Sequence, residues 1–290
     1  MFVTVPQFRR LMLIDEAAQR LRTIASVTDG FRLAEEDLRL RGMGEIFGTR
    51  QAGMNPFRLA RFPDDTELLL MARRANELAT VVDEILDGGG RAEAYPVDLT
   101  DAPTVDAMME SILSQHGKID ILINNAGRSI RRSAALSVER LHDYERCMQI
   151  NYFAPLRLIH HLLPSMLEAG DGHIINVLTW GTLMPAAYFT AYTASKAALG
   201  TAAQGMDAEL RSKGVAFTGL HYPLVHTAMS APTRHYRTMP GMSVEKAGSW
   251  MVKAVRDRPS RIAPSYAVAA GLGTTLLPRI SAGIAGRLKF

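Results

Sequence analysis

The strongest constraint on the fold is a regular alternation of short apolar runs and longer amphipathic segments from residue 68 onward. The short runs are typical of strands buried on both faces, and the longer segments carry apolar residues at helical spacing. This rhythm predicts an α/β fold with a doubly wound parallel sheet. We predict strands at residues 68–71, 92–97, 119–123, 173–178, 215–220 and 261–263, and helices at 76–86, 104–116, 138–167, 193–211 and 243–255.

Composition bounds the class of protein. A chain of 290 residues with 47% hydrophobic residues can bury a sizeable core in one large or two modest domains. Its single cysteine, Cys147, excludes an internal disulfide, has no ligand-like neighbours at metal spacing, and we expect it to be buried in a helix. The N-terminus carries no signal-peptide pattern, so we predict a cytoplasmic protein without a metal site. The longest apolar stretch, residues 266–278, is too short to span a bilayer, although it could rest against a membrane.

A phenol and an ammonium share one helix face at Tyr192 and Lys196, which stand four residues apart. Such pairs also arise by chance, with the tyrosine packed at a helix edge and the lysine solvated. Three neighbouring features favour chemistry here: the string Asn124-Asn125-Ala126-Gly127 after an apolar run, Asn151 inside a predicted helix, and the hydroxyl of Thr179 at a strand end. A positioned phenol can protonate a developing alkoxide, and a nearby ammonium favours the phenolate that remains.

In order and spacing, these features resemble the short-chain dehydrogenase/reductase family, from about residue 69 to the C-terminus. Residues 128–133, 177–181 and 223–227 most resemble its bacterial fatty acyl-CoA and fatty aldehyde reductase branch. The resemblance implies a Rossmann-like oxidoreductase that transfers a hydride between NADP(H) and a carbonyl or alcohol substrate, such as a long-chain aldehyde or acyl-CoA. It also implies a homo-oligomer paired through the long helices 138–167 and 193–211.

The resemblance assigns roles to individual residues. Tyr192 would be the acid, Lys196 its tuner, and Thr179 a second hydrogen-bond donor to the substrate oxygen. Asn151 would break its helix locally and hold a water that extends a proton relay from Lys196. The implied cofactor contacts are Asp98 and Leu99 at the adenine end, Asn125, Ala126 and Gly127 at the adenosine ribose and backbone, Tyr192 and Lys196 in the site, and Val225 with Thr227 at the nicotinamide carboxamide.

Two sets of arginines are candidates for phosphate contacts. Arg73 or Arg74, directly after a predicted strand, stands where family members that prefer NADP place a basic side chain against the 2'-phosphate, and a guanidinium suits that geometry. We therefore predict NADP, with NAD possible; the alternative is a solvated arginine pair. Arg128, Arg131 and Arg132 follow the strand that ends in Asn-Asn-Ala-Gly and could contact the phosphates of CoA, or could form a solvated basic loop.

The first 65 residues do not show the alternation of strands and helices that begins near residue 68. The family's first strand, Thr-Gly-x-x-x-Gly-x-Gly turn and first helix are expected here, and the nearest imitation, residues 42–48, has its glycines in the wrong order. Residues 15–61 instead resemble the C-terminal motif of the RecG helicase, without its phosphate-binding loop. We predict a small, mainly helical or irregular segment at 1–65 and a reductase-like domain at 66–290 that lacks its first βα unit.

Two other functions stay open from sequence. The chain could be an inactive remnant of a reductase fused to a helicase tail, because the pyrophosphate cradle and the central strand have no visible replacement. Nucleic-acid binding through the helicase-like segment is less favoured, since its arginines are balanced by acidic residues, although a net charge of +4 is compatible with anionic partners.

Overall fold

The computed structural model of this protein describes residues 9–14, 66–87, 89–226, 239–277 and 279. Within them a parallel sheet of seven strands runs in the order β3-β2-β1-β4-β5-β6-β7. The strands are β1 (Arg9–Ile14), β2 (Thr66–Ala72), β3 (Arg91–Pro96), β4 (Ile121–Asn124), β5 (Gly172–Thr179), β6 (Val215–Tyr222) and β7 (Arg261–Ile262).

Helices connect these strands and flank the sheet, which confirms the predicted α/β, doubly wound class. The strand order reverses between β1 and β4, so ligands of this architecture bind at the carboxyl ends of those two strands. The helices are α1 (Ala75–Asp87), α2 (Ala102–His116), α3 (Leu141–Met148), α4 (Ala154–Ala169), α5 (Thr190–Leu210), α6 (Val244–Asp257) and α7 (Ser265–Leu276).

The centre of the sheet corrects our expectation that the first strand has no replacement. Strand β1 comes from within the segment predicted to be helical or irregular, and it pairs in parallel with β2 on one side and β4 on the other. The sequence indicates this strand only weakly, because two arginines precede a run of only four apolar residues. Residues 9–14 therefore lie in the reductase sheet; for the remainder of residues 1–65 the predicted division stays a prediction.

Strand β1 contributes to the cores on both faces of the sheet. Leu11 and Leu13 belong to the cluster that includes Leu70 and Ile123, whereas Met12 belongs to the opposite cluster with Leu122. Alternate side chains of a strand point to opposite faces, so these three residues all become buried. The run is uniformly apolar because both faces of a parallel sheet are covered.

Polar contacts fix β1 at the amino edge of the sheet. The amide of Arg10 donates to a carboxylate oxygen of Asp120 at 2.7 Å, and its guanidinium pairs with Glu67 at 3.0 Å. Nearby, His116 lies between the carboxylates of Glu67 and Glu93, which approach its opposite ring nitrogens at 3.6 and 3.5 Å. Glu67 also pairs with Arg10, and Glu93 accepts from the Tyr95 hydroxyl, so we interpret the cluster as an anchor for the strand edge.

Apart from β1, the predicted elements are confirmed with two differences. The long helix predicted at residues 138–167 is divided into α3 and α4 by a π-helical turn, Gln149–Phe153. The apolar stretch at residues 266–278 contains helix α7, which we did not predict as a helix. Cys147 is buried in α3, as expected.

Candidate active site

The carboxyl end of β4 forms the floor of the candidate site. Asn124 ends the strand and donates its side-chain amide to the Asn176 side chain of β5 at 2.9 Å. Asn125, Ala126 and Gly127 follow directly and are all buried. These residues lie at the topological switch point, where the resemblance places the adenosine ribose.

A π-turn between α3 and α4 positions Asn151. The amide of Ala154 bonds to the carbonyl of Gln149, five residues back, which is the local break that the resemblance implied. The Asn151 side chain is 0% exposed and clamps the backbone of Arg128, accepting from its N–H at 2.8 Å and donating to its carbonyl at 2.9 Å. Its amide also donates to Ser195 Oγ at 2.8 Å. Asn151 thus ties the loop after β4 to helix α5.

Lys196 is a buried cation held by backbone. It is 3% exposed, and its ammonium donates to the carbonyl oxygen of Val177 on β5 at 2.8 Å. Burial of an ammonium is costly unless hydrogen bonds stabilise it, and the Val177 carbonyl supplies one on the inner face of α5.

Gly127 is the point where the loop after β4 meets Asn151 and Lys196. A Cβ atom built on Gly127 would lie 2.8 Å from Asn151 Oδ1 and 3.2 Å from Lys196 Nζ. Only a glycine permits this close approach without displacing one of the two groups. The structure therefore brings three residues of the predicted site together, from three different elements.

Tyr192 lies one turn before Lys196 on α5 and is half-buried. Its ring packs edge to face against Phe189, with centroids 6.4 Å apart. Its backbone carbonyl accepts from Ser195 Oγ at 2.7 Å, so the chain of hydrogen bonds from Asn151 continues to the backbone of the candidate acid.

Thr179 ends β5 and opens a 3₁₀ turn, Trp180–Thr182. Its Oγ1 accepts the Gly181 amide at 3.3 Å, so the hydroxyl proton is not used in that bond. A Cβ on Gly181 would lie 3.1 Å from Thr193 Cγ2 and 3.7 Å from Thr179 Oγ1, so Gly181 lies close both to Thr179 and to the residue that follows Tyr192.

Buried His221, on the neighbouring strand β6, supports this turn. Thr182 Oγ1 donates to the Thr179 carbonyl at 2.8 Å and lies 3.0 Å from His221 Nδ1. Because the single hydroxyl proton of Thr182 is used on the carbonyl, Nδ1 carries a proton and donates to Oγ1. Burial lowers the pKa of His221 to about 4, although its hydrogen bond to the Thr179 carbonyl acts in the opposite direction.

The predicted adenine end is formed by the loops after β2 and β3. Leu99 is buried in the core, and Asp98 is exposed with Oδ1 accepting from the Thr100 amide at 2.9 Å. Burial opposes ionisation of Asp98, but the Thr100 hydrogen bonds and the charges of Arg73 and Arg128 outweigh it, so its pKa lies below the ordinary value. Arg74 instead pairs with Glu77 at 2.5 Å.

The arginines after β4 have different environments. Arg132 forms an ion pair with buried Asp143 of α3 at 2.9 Å, so its charge is balanced by that carboxylate. Arg131 is exposed and places its guanidinium 4.8 Å from the ring centre of Tyr188, a residue with a positive φ of 67°. Arg128 is half-buried and anchored by Asn151 through its backbone alone.

At the other side of the site, half-buried Val225 forms a parallel bridge with Met242. Thr227, the second residue predicted to contact the carboxamide, lies outside the described residues. Two residues with a part in the site were missed by sequence reasoning, namely Ser195 and His221. Ser195 could have been found from its position three residues after Tyr192, whereas no sequence pattern indicates His221.

Comparison with known proteins identifies the family. The model of the short chain dehydrogenase family matches residues 60–238. A fatty acyl-CoA reductase of Mycobacterium tuberculosis is 51% identical over 73% of this chain and 72% of its own length. The chain belongs to the short-chain dehydrogenase family. It is thus an oxidoreductase by family. A fatty acyl-CoA reductase of Acinetobacter baylyi is also similar, at 41% identity over 74% of this chain and 72% of its own length.

Solved structures agree with the fold. A short-chain dehydrogenase from Streptomyces avermitilis superposes with a TM-score of 0.69 at 23% identity, covering 99% of this chain and 100% of that one. A metagenomic short-chain oxidoreductase in complex with NADP gives a TM-score of 0.64 at 20% identity, covering 88% and 96%. At these identities the similarity supports the fold alone.

The second predicted resemblance is also found. The C-terminal part of domain 3 of the ATP-dependent DNA helicase RecG matches residues 27–92. That match overlaps the short-chain dehydrogenase match over residues 60–92, so it extends through β2 and α1, which the structure places in the reductase sheet.

The described residues fit a dinucleotide at two of its three parts. At the carboxyl end of β4, Gly127 lets the backbone approach the Lys196 ammonium closely, and at the predicted adenine end Arg73 lies close enough to Asp98 to stabilise its charge. For the pyrophosphate, the sequence after β1 continues as Asp15-Glu16 instead of the Thr-Gly that the family pattern implies. The fit is therefore supported at both ends and lacks the usual glycine pattern between them.

Proposed function

We propose that this short-chain dehydrogenase is an NADP(H)-dependent reductase of a long-chain carbonyl compound, either a fatty aldehyde or an acyl-CoA thioester. The observation that carries the proposal is the buried Lys196 ammonium, held at Val177 and in contact range of Gly127, one helical turn from Tyr192. A buried cation at this place has a physical reason if a phenol beside it must lose a proton.

The residues of the candidate site have separate roles in this reaction. Bound NADPH would supply the hydride. Tyr192 donates its hydroxyl proton to the oxygen of the reacting carbonyl as negative charge develops there. Lys196 stabilises the resulting phenolate by charge. Thr179 keeps its hydroxyl proton available and donates a second hydrogen bond to the same oxygen, a contribution of about 3 kcal/mol for one such donor.

Asn151 and Ser195 act as positioning residues in this proposal. Their hydrogen bonds connect the Arg128 backbone, the π-turn and the Tyr192 carbonyl, so they hold the loop after β4 against the helix that carries the acid. The water relay from Lys196 to Asn151 remains a prediction.

The NADP preference rests on Arg73. Arg73 is exposed after β2 and its charge affects Asp98, whereas Arg74 pairs with Glu77. A charge-assisted hydrogen bond to a phosphate contributes about 1.5–3 kcal/mol, so Arg73→Ala should lower the NADPH over NADH preference by about tenfold or more. Arg74→Ala is the matched control, and an equal loss in both variants would refute the assignment.

The long-chain substrate is supported by the two relatives named as fatty acyl-CoA reductases. For an acyl-CoA substrate, we expect exposed Arg131, in the loop after β4, to contact a phosphate of CoA, whereas Arg132 forms an ion pair with Asp143. We also propose a homo-oligomer paired through α4 and α5, which light scattering after gel filtration would test.

The decisive experiment measures NADPH consumption with fatty aldehydes and with acyl-CoA. We expect turnover by the wild type and a loss of at least a hundredfold in Tyr192→Phe. Tyr95→Phe is the control, because the Tyr95 hydroxyl bonds Glu93 and His116, which belong to the cluster that anchors β1. No turnover above the Tyr192→Phe level would end the proposal.

The inactive-remnant alternative loses one of its two grounds, since β1 fills the centre of the sheet. The other ground, the missing glycine pattern, is tested by calorimetric titration with NADPH. Micromolar affinity contradicts the remnant, and absence of binding at millimolar NADPH supports it.

A further inference from the structure

Helix α7 presents an unusual surface. It contains no charged residue, and three of its apolar side chains are exposed, namely Tyr266 at 56%, Leu272 at 64% and Leu276 at 77%. Leu272 and Leu276 form an apolar stripe on one side of the helix, because four residues bring a side chain back to nearly the same face, and Tyr266 lies to one side of this stripe. Leu277 extends the stripe past the helix end and is 56% exposed. Contiguous exposed apolar residues of this kind mark an interaction surface.

The opposite face of α7 packs onto the protein and fixes the direction of the stripe. Ala267 is fully buried, and a Cβ on Gly271 would lie 2.7 Å from the carbonyl oxygen of Leu183. Tyr266 packs edge to face on Trp180, with ring centroids 5.6 Å apart. Since Trp180 directly follows Thr179, the helix lies beside the turn that carries the candidate site.

The surrounding charge indicates which partner covers the stripe. From Arg258 to the C-terminus the sequence carries four arginines, one lysine and no aspartate or glutamate. This stretch alone has a formal charge of +5, against +4 for the whole chain. Arg261 and Arg279, on either side of α7, are exposed. Apolar side chains flanked by basic residues suit the headgroup region of an anionic bilayer.

We propose that α7 and the basic residues around it dock the protein on an anionic lipid surface. The helix has 12 residues and a length of about 18 Å, too short for a hydrocarbon core of about 30 Å. Among the described residues no helix is long and apolar enough to cross a membrane. Helix α7 therefore lies in the plane of the interface with Leu272 and Leu276 inserted, and the turn after Thr179 lies next to the docked helix.

The proposal goes beyond the proposed reaction and does not need activity to be tested. Vesicles of phosphatidylcholine, with and without phosphatidylglycerol, are sedimented with the full chain. We expect binding to the anionic vesicles, weaker binding at high salt, and little binding to the neutral ones. In the double variant Leu272→Asp and Leu276→Asp, the partition coefficient should fall at least tenfold, equal to about 1.4 kcal/mol. Leu86→Asp, an exposed leucine at the end of α1 near the other edge of the sheet, is the control and should bind as the wild type.

Two outcomes overturn the proposal. One is equal sedimentation of the wild type and the double variant, or no sedimentation with anionic vesicles. The other is a wild-type dimer that the double variant converts to monomer without any change in vesicle binding, because the stripe would then be a subunit interface. Circular dichroism and NADPH titration of the double variant exclude loss of folding as the cause of lost binding, since both leucines are exposed and distant from the core.

Discussion

Replacement of Leu13 by alanine tests whether β1 is the central strand that holds the reductase sheet together. Leu13 is buried and pairs with Leu70 of β2 and Ile123 of β4. Its side chain belongs to the core cluster on one face of the sheet, which also contains Met251 of α6. The cavity left by Leu13→Ala would therefore lie among residues of four elements, which limits how far the site can collapse.

The expected loss of stability follows from this environment. A buried leucine replaced by alanine costs about 2–5 kcal/mol, and the upper half applies where rigid strands surround the cavity. For a domain of this size each kcal/mol shifts the melting temperature by about 2 °C, so Leu13→Ala, at about 3.5–5 kcal/mol, should melt roughly 7–10 °C below the wild type. If β1 were peripheral, the same change would fall within about 0.5 kcal/mol, or roughly 1 °C.

Differential scanning calorimetry at fixed protein concentration, without cofactor, is the assay. Leu86→Ala is the matched control, because Leu86 is 49% exposed on α1 and should shift the melting temperature only slightly. Met12→Ala extends the test to the opposite core cluster and should destabilise by a similar amount. A melting temperature of Leu13→Ala equal to that of Leu86→Ala would refute the placement of β1.

Three further predictions concern the site. Ser195→Ala removes the hydroxyl that accepts from the fully buried Asn151 amide and should lower the free energy of unfolding by about 1–3 kcal/mol. Urea denaturation measures this loss, and an unchanged midpoint would contradict the importance of the Asn151–Ser195 hydrogen bond. Gly127→Ala places a methyl 2.8 Å from Asn151 Oδ1 and should weaken NADPH binding at least tenfold by calorimetry, an effect that wild-type affinity in the variant would disprove. Folding lowers the pKa of His221 from 6.5 to about 4, so its contribution to the free energy of unfolding is complete above pH 6.5 and declines by about 3 kcal/mol as the pH falls towards 4. His221→Gln should flatten this part of the curve of unfolding free energy against pH. Parallel curves for the variant and the wild type would contradict this prediction.

Most of the sheet was predictable because parallel strands buried on both faces leave a clear apolar signal. The runs at residues 173–178 and 215–220 became β5 and β6 with small changes at their ends. The same signal failed at β1, because its apolar part is only Leu11 to Ile14 and the glycine turn that should follow is missing. A four-residue run gives no periodicity, and only the pairing of both its edges shows that it is a strand.

The site was predictable as a set of residues but not as a set of contacts. The resemblance named Asn151, and the structure shows that its side chain bonds to backbone of Arg128, a contact across 23 positions that no spacing rule indicates. The buried position of Lys196 likewise follows from how α5 packs on β5. His221 was missed for the same reason, since its partner Thr182 lies on a different connection.

The position of β1 changes what the helicase-like segment is within the chain. Strand β1 precedes residues 15–65 and β2 follows them, and the two strands are parallel neighbours. Strand β1 therefore ends at the carboxyl edge of the sheet and β2 begins at its amino edge, a separation of about 20 Å for a six-residue strand. A crossover of about a dozen residues is enough for that distance, so most of residues 15–65 exceeds what the fold requires. The RecG-like match begins among these residues and runs on through β2 and α1 to the start of β3, so the helicase-like match and the reductase sheet share residues 66–92.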